Sequence, residues 1–281
     1  MCSITPVSAG KLRRGRRLAD AGSGRIVILP LDGALPLRKV DGDGDLGLLT
    51  EMAEAAGVDA VLLRWGEARR LAGSIGTNVG MIVRISGGNY AGPEPTYDVL
   101  MNSVEACAAI GADAVCAGLK LGSPREAEML RDVACVAEAC ERVGVVLLCE
   151  TWVVTRSGAL DLSAESTAWA ARSAQELGAD MVKVIFPGTC EGMEAVTARC
   201  QLPVVVAGGA VTRPAEVLEM AAEAVRGGAT GVAVGRNVLA HPEPAVMQLA
   251  LADLVHGECS LQAARDRIAP APQPLREGSP S

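Results

Sequence analysis

Lys183 is the residue whose surroundings point most directly to chemistry. The sequence has four lysines, and this one lies within the apolar run of residues 181–186. A charged amine is costly in apolar surroundings, so such a lysine is paired, neutral or functional. A neutral amine can attack a carbonyl carbon and form a Schiff base, and we predict this role for Lys183. A structural salt bridge is the alternative, and Lys120 is a weaker candidate for the same role.

Three further side chains at the ends of predicted strands could act with this amine. Asp32 ends the first strand, and Glu150 and Trp152 follow the fifth. Side chains alternate along a strand, so Glu150 and Trp152 face the same way. The fifth strand should neighbour the sixth, which places them beside Lys183. Glu150 is then either an acid/base or only the counter-ion of the lysine, and the pattern leaves both open.

Two glycine-containing turns predict a phosphate site. Gly208 and Gly209 follow the seventh strand, and Gly235 and Arg236 follow the eighth. Glycines let backbone N–H groups approach a phosphate, helix N-termini favour its charge, and an arginine can bind it. Tight turns also need glycine, and Arg236 could instead form a salt bridge at a helix end. Both turns together favour a phosphorylated small-molecule substrate.

A repeated five-residue phrase predicts the elements that position these residues. It reads glycine, valine or alanine, aspartate (threonine in the last copy), any residue, valine. Each copy follows a helical stretch rich in small and charged residues, and the copies begin at Gly57, Gly111, Gly178 and Gly228. A glycine that ends a helix, a short polar link and a buried strand form half of a βαβ unit. Strands are predicted at residues 26–31, 60–63, 80–85, 114–119, 145–149, 181–185, 203–207 and 231–234. Helices are predicted at residues 46–56, 97–110, 124–143, 163–177, 214–226 and 243–255.

Eight strand-then-helix units in roughly 230 residues predict an α/β fold, a single (β/α)8 TIM barrel. A Rossmann fold is disfavoured because no glycine fingerprint follows the first strand. We expect residues 1–24 to form an N-terminal extension with a basic, solvated helix and residues 25–265 to form the barrel. Residues 266–281 are expected to form a disordered tail, because the end of the chain is rich in proline and serine.

Composition excludes several classes of function. The net charge of −7 and the pI of about 5.1 argue against a nucleic-acid partner. No apolar run reaches the roughly 18 residues of a membrane span, and the start lacks the apolar segment of a secretory signal. Nine cysteines form no Cys-x-x-Cys pair, and two histidines disfavour a metal site. We predict a cytoplasmic protein that needs no metal or other cofactor and contacts neither nucleic acid nor membrane.

The chain resembles the archaeal-type (DhnA-type) class I fructose-bisphosphate aldolases and the related 2-amino-3,7-dideoxy-threo-hept-6-ulosonate synthases. The likeness runs from about residue 13 to about residue 257 and is carried by four motifs together with Gly111-Ala-Asp-Ala-Val115. These motifs are Ile28-Leu-Pro-Leu-Asp32, Gly178-Ala-Asp-Met-Val-Lys183, Val206-Ala-Gly-Gly209 and Gly231-Val-Ala-Val-Gly-Arg-Asn237. The resemblance implies that Lys183 forms the Schiff base and that Asp32 positions substrate hydroxyls and assists proton transfer. It also implies a phosphate cup at Gly208, Gly209, Gly235 and Arg236, and a homo-oligomer.

Three departures from the family pattern affect the site. The family has a histidine after the aspartate, where this chain has Gly33, and a lysine after the glycine pair, where it has Val211. The family also has a tyrosine acid/base followed by Pro-Arg-Gly, where this chain has Trp152-Val-Val. An indole cannot shuttle a proton at neutral pH. Glu150, Asp32 or a water must then take over the proton transfers, or the reaction differs from that of the family. Of these we predict that Glu150 replaces the tyrosine.

These observations predict a metal-independent class I aldolase (a lyase) or a transaldolase-type transferase. It would make or break a C–C bond in a phosphorylated ketose-type substrate, within specialised metabolism. One alternative is a barrel that has lost aldol activity and only binds a phosphorylated ligand. Another is an enzyme that keeps the imine and runs a different reaction, such as an isomerisation or a cyclisation.

Overall fold

Eight parallel strands close into a barrel, which confirms the predicted TIM-barrel fold. The computed structural model describes residues 8–33 and 46–269. The barrel strands are β1 (Ile26–Pro30), β2 (Ala60–Arg64), β3 (Gly80–Arg84), β6 (Ala114–Leu121), β7 (Val146–Val153), β8 (Met181–Ile185), β9 (Val204–Ala207) and β10 (Gly231–Ala233). Around the barrel their order is β1-β10-β9-β8-β7-β6-β3-β2. Every predicted strand is present, within a few residues of its expected ends.

Helices separate the strands, and the described ones differ from the prediction in several places. They are Ala9–Gly15, Leu46–Ala55, Trp65–Leu71, Val104–Ala109, Glu126–Val143, Ala164–Glu176, Cys190–Arg199, Pro214–Arg226, Arg236–Leu239, Pro244–His256 and Leu261–Ile268. The prediction did not include the helices Trp65–Leu71, Cys190–Arg199, Arg236–Leu239 and Leu261–Ile268. The last helix passes the expected barrel boundary at residue 265. The predicted disordered tail otherwise falls mainly on residues 270–281, which lie outside the described residues.

The prediction of one helix over residues 97–110 is wrong for its first half. A short strand, β5 (Val99–Leu100), pairs with β4 (Ser86–Gly87) in a separate antiparallel sheet. The helix begins only at Val104, because the Ser103 side chain accepts a hydrogen bond from the backbone N–H of Ala106 at 3.2 Å. The segment between β3 and β6 therefore lies across the carboxyl end of the barrel, where the β4–β5 sheet orders it.

The barrel interior has an apolar half and a charged half. Inward side chains from the lower part of the strands, including Ile28, Leu62, Ile82 and Leu148, form one buried cluster. Leu18, from the segment before β1, joins this cluster and closes the N-terminal end. Above it, at the carboxyl end, the next inward positions carry polar and charged side chains.

The repeated phrase has a structural role at the N-terminal end of the barrel. Its aspartates are buried or nearly so, and each accepts a hydrogen bond from a backbone N–H of the neighbouring strand: Asp59 from Val27 at 2.6 Å, Asp113 from Met81 at 3.0 Å and Asp180 from Leu147 at 2.8 Å. Each carboxylate also meets a basic side chain: Asp59 meets His256 at 2.9 Å, Asp113 meets Arg17 at 3.3 Å and Asp180 meets Lys11 at 2.9 Å. The phrase thus links neighbouring strands as well as ending helices.

The N-terminal helix is not the fully solvated face that its charges suggested. Lys11 is 5% exposed and contacts Glu141 at 3.0 Å as well as Asp180. Burial opposes the charged form, but the hydrogen bonds and charges of the two carboxylates prevail and raise the pKa of Lys11. Arg14 donates a hydrogen bond to the Gly144 carbonyl at 2.8 Å. The helix is therefore docked on the barrel, and Arg13, Arg16 and Arg17 remain exposed.

None of the helices in residues 8–33 and 46–269 is both long enough and apolar enough to cross a membrane.

Candidate active site

A cavity of about 760 Å³ opens at the carboxyl ends of the strands. The structure brings all the predicted site residues to its wall: Asp32, Glu150, Trp152, Lys183, Gly208, Gly209, Gly235 and Arg236. Functional groups of (β/α)8 barrels collect at this end because the βα loops start there.

Lys183 and Glu150 form a buried pair inside this cavity. The two residues are in register on the neighbouring strands β8 and β7. The Lys183 Nζ lies 2.6 Å from Glu150 Oε1, and both residues are less than a tenth exposed. The lysine therefore has aliphatic neighbours along its strand but a carboxylate at its amine. Of the lysines in the described residues, this one alone lines the cavity.

Arg84, which the sequence reasoning missed, joins the two predicted carboxylates. Its Nε donates to Asp32 Oδ2, and its Nη2 donates to Glu150 Oε2. A continuous row of four alternating charges results, running from Asp32 through Arg84 and Glu150 to Lys183. A signal was present in the sequence: Arg84 ends an apolar strand in which Gly80, Ile82 and Arg84 share the inward face. A charged side chain at such a position is costly to bury, so it indicates a paired or functional residue, as it did for Lys183.

The charges in this row fix the ionisation of Glu150. Burial disfavours its charged form, but the charges of Arg84 and Lys183 and their hydrogen bonds outweigh burial and hold the pKa of Glu150 far below its usual value. Both carboxylate oxygens are occupied, one by each cation. Glu150 is thus a fixed anion at the centre of the site.

Trp152 lies beside a tyrosine that the sequence reasoning also missed. The rings of Trp152 and Tyr90 are 5.4 Å apart between centroids, and both line the cavity. The Lys120 ammonium lies 4.7 Å from the centre of the Tyr90 ring and 5.1 Å from that of Trp152. Tyr90 lies in an irregular loop between β4 and β5, so no periodic pattern marks it.

Lys120, the weaker candidate for the imine, is enclosed by structural partners. Its Nζ donates to Asp98 Oδ1 at 2.7 Å and to the Pro95 carbonyl at 3.3 Å. Asp98 and Lys120 are both less than a tenth exposed. The pair, with the two aromatic rings, attaches the segment between β4 and β6 to the barrel. A structural salt bridge accounts for this lysine.

The two glycine turns lie side by side on β9 and β10, and Asn237 connects them. Its Nδ2 donates to the carbonyls of Gly208 and Ala210 at 2.9 and 3.0 Å. Gly209 has a φ of +68°, a left-handed conformation that favours glycine. The Gly208 N–H is used by the barrel, since it donates to the Ala233 carbonyl at 3.0 Å. Asn237 therefore shapes the turn, although the sequence reasoning named it only as part of a motif.

Arg236 is exposed at the rim of the cavity, at the start of the helix Arg236–Leu239. Within the part of the chain that the structure describes, its guanidinium forms no ion pair, so the alternative of a helix-end salt bridge is not observed.

Among the described residues, no cluster of three or more His, Cys, Asp and Glu side chains could hold a metal ion.

Known proteins share this fold and sequence pattern. The family described as DeoC/LacD family aldolase matches residues 26–241. A 2-amino-3,7-dideoxy-D-threo-hept-6-ulosonate synthase of Archaeoglobus fulgidus is 34% identical over 258 residues, which cover 90% of this chain and 94% of the relative. A 2-amino-4,5-dihydroxy-6-oxo-7-(phosphonooxy)heptanoate synthase of Streptomyces griseus is 35% identical over 261 residues, with coverage of 90% and 92%.

Solved structures agree with this assignment. An archaeal fructose 1,6-bisphosphate aldolase superposes with a TM-score of 0.80 at 26% identity, covering 88% of this chain and 99% of that one. A second structure of such an aldolase, with its catalytic lysine bound to the carbinolamine intermediate, gives a TM-score of 0.81 at 26% identity, covering 88% and 100%. The fold is that of an aldolase barrel. The chain belongs to the DeoC/LacD aldolase family, and the resemblance found in the sequence is confirmed.

Proposed function

We propose that Lys183 forms a Schiff base with a phosphorylated ketose-type substrate, as part of a class I aldolase or transaldolase reaction. The main support for this proposal is the 2.6 Å distance between Lys183 Nζ and Glu150 Oε1. Both residues lie in a cavity that the glycine turns also line. A buried amine held in one place by a carboxylate, beside a site suited to phosphate, is the group such chemistry requires.

The reaction begins when the Lys183 nitrogen attacks the ketone carbon. The C–N bond forms, the carbonyl electrons move to oxygen, and a proton passes from the nitrogen to that oxygen through water to give a carbinolamine, while the Glu150 carboxylate faces the nitrogen. The carbinolamine hydroxyl then takes a proton from water and leaves as water, and an iminium ion remains. The iminium draws electrons from the adjacent carbon, so a proton or a C–C bond at that carbon can break to give an enamine.

The surrounding residues would orient the substrate for these steps. The phosphate would lie at Gly209, Gly235 and Arg236, on the strands that follow β8 around the barrel. Asp32 is held by Arg84 and, as a carboxylate, can accept hydrogen bonds from substrate hydroxyls. The substrate would then extend from the cup, past Lys183, towards Asp32 and Trp152.

The relatives suggest the class of partner substrate. Two of them are named as synthases of amino- and oxo-substituted heptulosonate or heptanoate products, one of which carries a phosphonooxy group. We infer that this chain joins a phosphorylated three-carbon ketose fragment to an aldehyde such as aspartate semialdehyde, or handles a sugar phosphate. Assembly of several copies and a cytoplasmic location stay predictions.

Reductive trapping tests the proposal. The protein is incubated with dihydroxyacetone phosphate and sodium borohydride, and the expected result is a covalent adduct on Lys183, mapped by mass spectrometry. Lys183→Met should give no adduct, whereas Lys120→Met should keep it as long as the variant remains folded by circular dichroism. Saturable binding of the ketose phosphate without an adduct would contradict the proposal and support a barrel that only binds a ligand. An adduct without C–C bond formation would support the other imine reactions.

A further inference from the structure

Formation of a C–C bond by an aldolase needs a proton donor that the lysine and its carboxylate do not supply. As the enamine carbon attacks an aldehyde, negative charge develops on the aldehyde oxygen, and a positioned acid must neutralise it. Both oxygens of Glu150 are occupied by Lys183 and Arg84. Asp32 is already held by Arg84, whose Nε donates to its Oδ2.

Trp152 does not fill this role either. Its indole N–H is buried, has no hydrogen-bond partner among the described residues, and cannot exchange a proton at neutral pH. The ring instead forms one wall of the cavity, and Tyr90 packs against it. Trp152 therefore positions another group rather than moving a proton itself.

Tyr90 is the phenol that the structure brings to this wall. The chain has two tyrosines, and the other, Tyr97, points its hydroxyl at Glu128, 3.4 Å away, outside the cavity. The Tyr90 ring is fixed on two sides, by Trp152 at 5.4 Å and by the Lys120 ammonium at 4.7 Å. Lys120 is in turn held by Asp98. Within the described residues the Tyr90 hydroxyl has no hydrogen-bond partner, so it is available to a ligand.

The surroundings keep this hydroxyl protonated. Burial raises the pKa of Tyr90 strongly, and the negative charges of Glu150 and Asp98 add to the effect. A neutral phenol can donate a proton, whereas a phenolate could only accept one.

The strand order places Tyr90 on the side of Lys183 where the aldehyde substrate would lie. The glycine turns lie on β9 and β10, to one side of β8, whereas Trp152 and Lys120, which hold Tyr90, lie on β7 and β6, to the other side. A ketose anchored at the turns and bound to Lys183 on β8 presents its far end to β7. The aldehyde that joins that end must therefore lie near Tyr90.

We infer that Tyr90 is the catalytic acid of the C–C bond-forming step, a role that rests on the proposed Schiff-base function. The enamine carbon bonds to the aldehyde carbon, the C=O π electrons move to oxygen, and that oxygen takes the proton of the Tyr90 hydroxyl. Water returns a proton to the phenolate. In the cleavage direction the phenolate removes the proton from the same hydroxyl, and the C–C bond breaks.

The test separates imine formation from C–C bond formation in Tyr90→Phe, with Tyr97→Phe as the matched control. Imine and enamine formation are followed by borohydride trapping of dihydroxyacetone phosphate and by its carbon-bound hydrogen exchange in D₂O. Bond formation is followed with dihydroxyacetone phosphate and a set of aldehydes: glycolaldehyde, glyceraldehyde 3-phosphate and aspartate semialdehyde. Tyr90→Phe should trap and exchange like the wild type but lose about 100-fold or more in kcat for bond formation. Tyr97→Phe should match the wild type in all three assays.

A second measurement does not depend on how well Tyr90→Phe folds. In the Tyr97→Phe background, Tyr90 is the remaining tyrosine of the chain, so global incorporation of a fluorinated tyrosine changes this phenol alone. The fluorinated phenol is a stronger acid and donates its proton more readily, so kcat for bond formation should rise. Trapping should be unchanged.

Several outcomes would overturn the inference. They are a Tyr90→Phe variant that forms C–C bonds at the wild-type rate, one that loses trapping and exchange together with bond formation, and an unchanged kcat for bond formation in the fluorinated protein. A wild type that traps the ketose but joins it to none of the aldehydes would also count against it. A wild type that forms no adduct would instead contradict the proposed function itself.

Discussion

Glu150 accepts hydrogen bonds from Lys183 and from Arg84, one on each carboxylate oxygen. Its position is set by two cations on opposite sides, on β8 and on β3. Neither cation can move without leaving a buried charge unpaired, which costs several kcal/mol. The lysine is thus presented to a substrate in one place, and four predictions about the site and its support follow from this arrangement and its neighbours.

Replacing Glu150 by Gln should slow the lysine chemistry. The amide keeps the size of the side chain but removes the negative charge that faces the Lys183 nitrogen, so the iminium ion loses stabilisation and kcat should fall by about 10²- to 10³-fold. Borohydride trapping of dihydroxyacetone phosphate should slow as well, because the iminium ion forms less readily without the carboxylate. Glu67→Gln, at an exposed pair on the helix Trp65–Leu71, is the control. A near-wild-type rate in Glu150→Gln would show that the carboxylate is only a counter-ion.

Replacing Arg84 by Met should destabilise the barrel. The change leaves the carboxylates of Asp32 and Glu150 without their shared cation, in a place where both are largely buried. The free energy of unfolding, measured in urea, should fall by about 3–5 kcal/mol. Arg70→Met breaks the exposed pair with Glu67 and should cost less than about 1 kcal/mol. Equal losses in the two variants would mean that Arg84 does not hold the site together.

Replacing Asn237 by Ala should weaken phosphate binding more than catalysis. The variant loses both hydrogen bonds to the Gly208–Ala210 turn, so the turn can move away from the cup. We expect KM for a phosphorylated substrate to rise about tenfold while kcat changes by less than about threefold. Asn78→Ala removes an amide that bonds Glu54 on the surface, 3.0 Å away, and should leave both constants alone. A fall in kcat with unchanged KM would contradict this role.

Replacing His256 by Gln should reduce stability mainly at low pH. The hydrogen bond to Asp59 raises the pKa of His256 above its ordinary value, although burial opposes the shift. Burial raises the pKa of Asp59, although the hydrogen bond from His256 opposes this shift. The pH range in which the pair adds stability therefore follows from the pKa of His256. When folding raises the pKa of a histidine, the added stability is fully present below the pKa of the unfolded state, about 6.5. It is lost as the pH rises through the pKa of the folded state.

The measurement for His256 is urea unfolding of both proteins at two pH values. The wild type should exceed His256→Gln by about 1 kcal/mol near pH 5.5, and the difference should shrink towards pH 9. His241→Gln changes a half-buried histidine whose ring contacts the Glu243 backbone rather than a carboxylate, and it should show no such trend. A difference that grows with pH would contradict the assigned sign.

The sequence predicted the barrel strands well, because buried parallel strands are continuous apolar runs and four of them began after the glycine of the repeated phrase. Lys183 and Glu150 could be placed side by side because strands of successive units are neighbours and side chains alternate along them. The helix over residues 97–110 was mispredicted, because the apolar residues before Ser103 serve the β4–β5 sheet rather than a helix face.

Other parts of the site could not be read from the sequence. Tyr90 reaches the cavity through an irregular loop whose course depends on the Lys120–Asp98 pair, a contact between residues 22 positions apart. The ionisation of Glu150 depends equally on Arg84, whose strand precedes β7 by some sixty residues along the chain. Such contacts arise only when the barrel closes.

The aspartates of the repeated phrase lie at the opposite end of the strands from Lys183. They lock Val27, Met81 and Leu147 in place through backbone amides, so this support does not depend on which side chains those strands carry at their other ends. Loops and strand tips around the cavity can accordingly exchange one residue type for another while the closure of the ring is preserved. A change of substrate in this family therefore need not be accompanied by a change of scaffold.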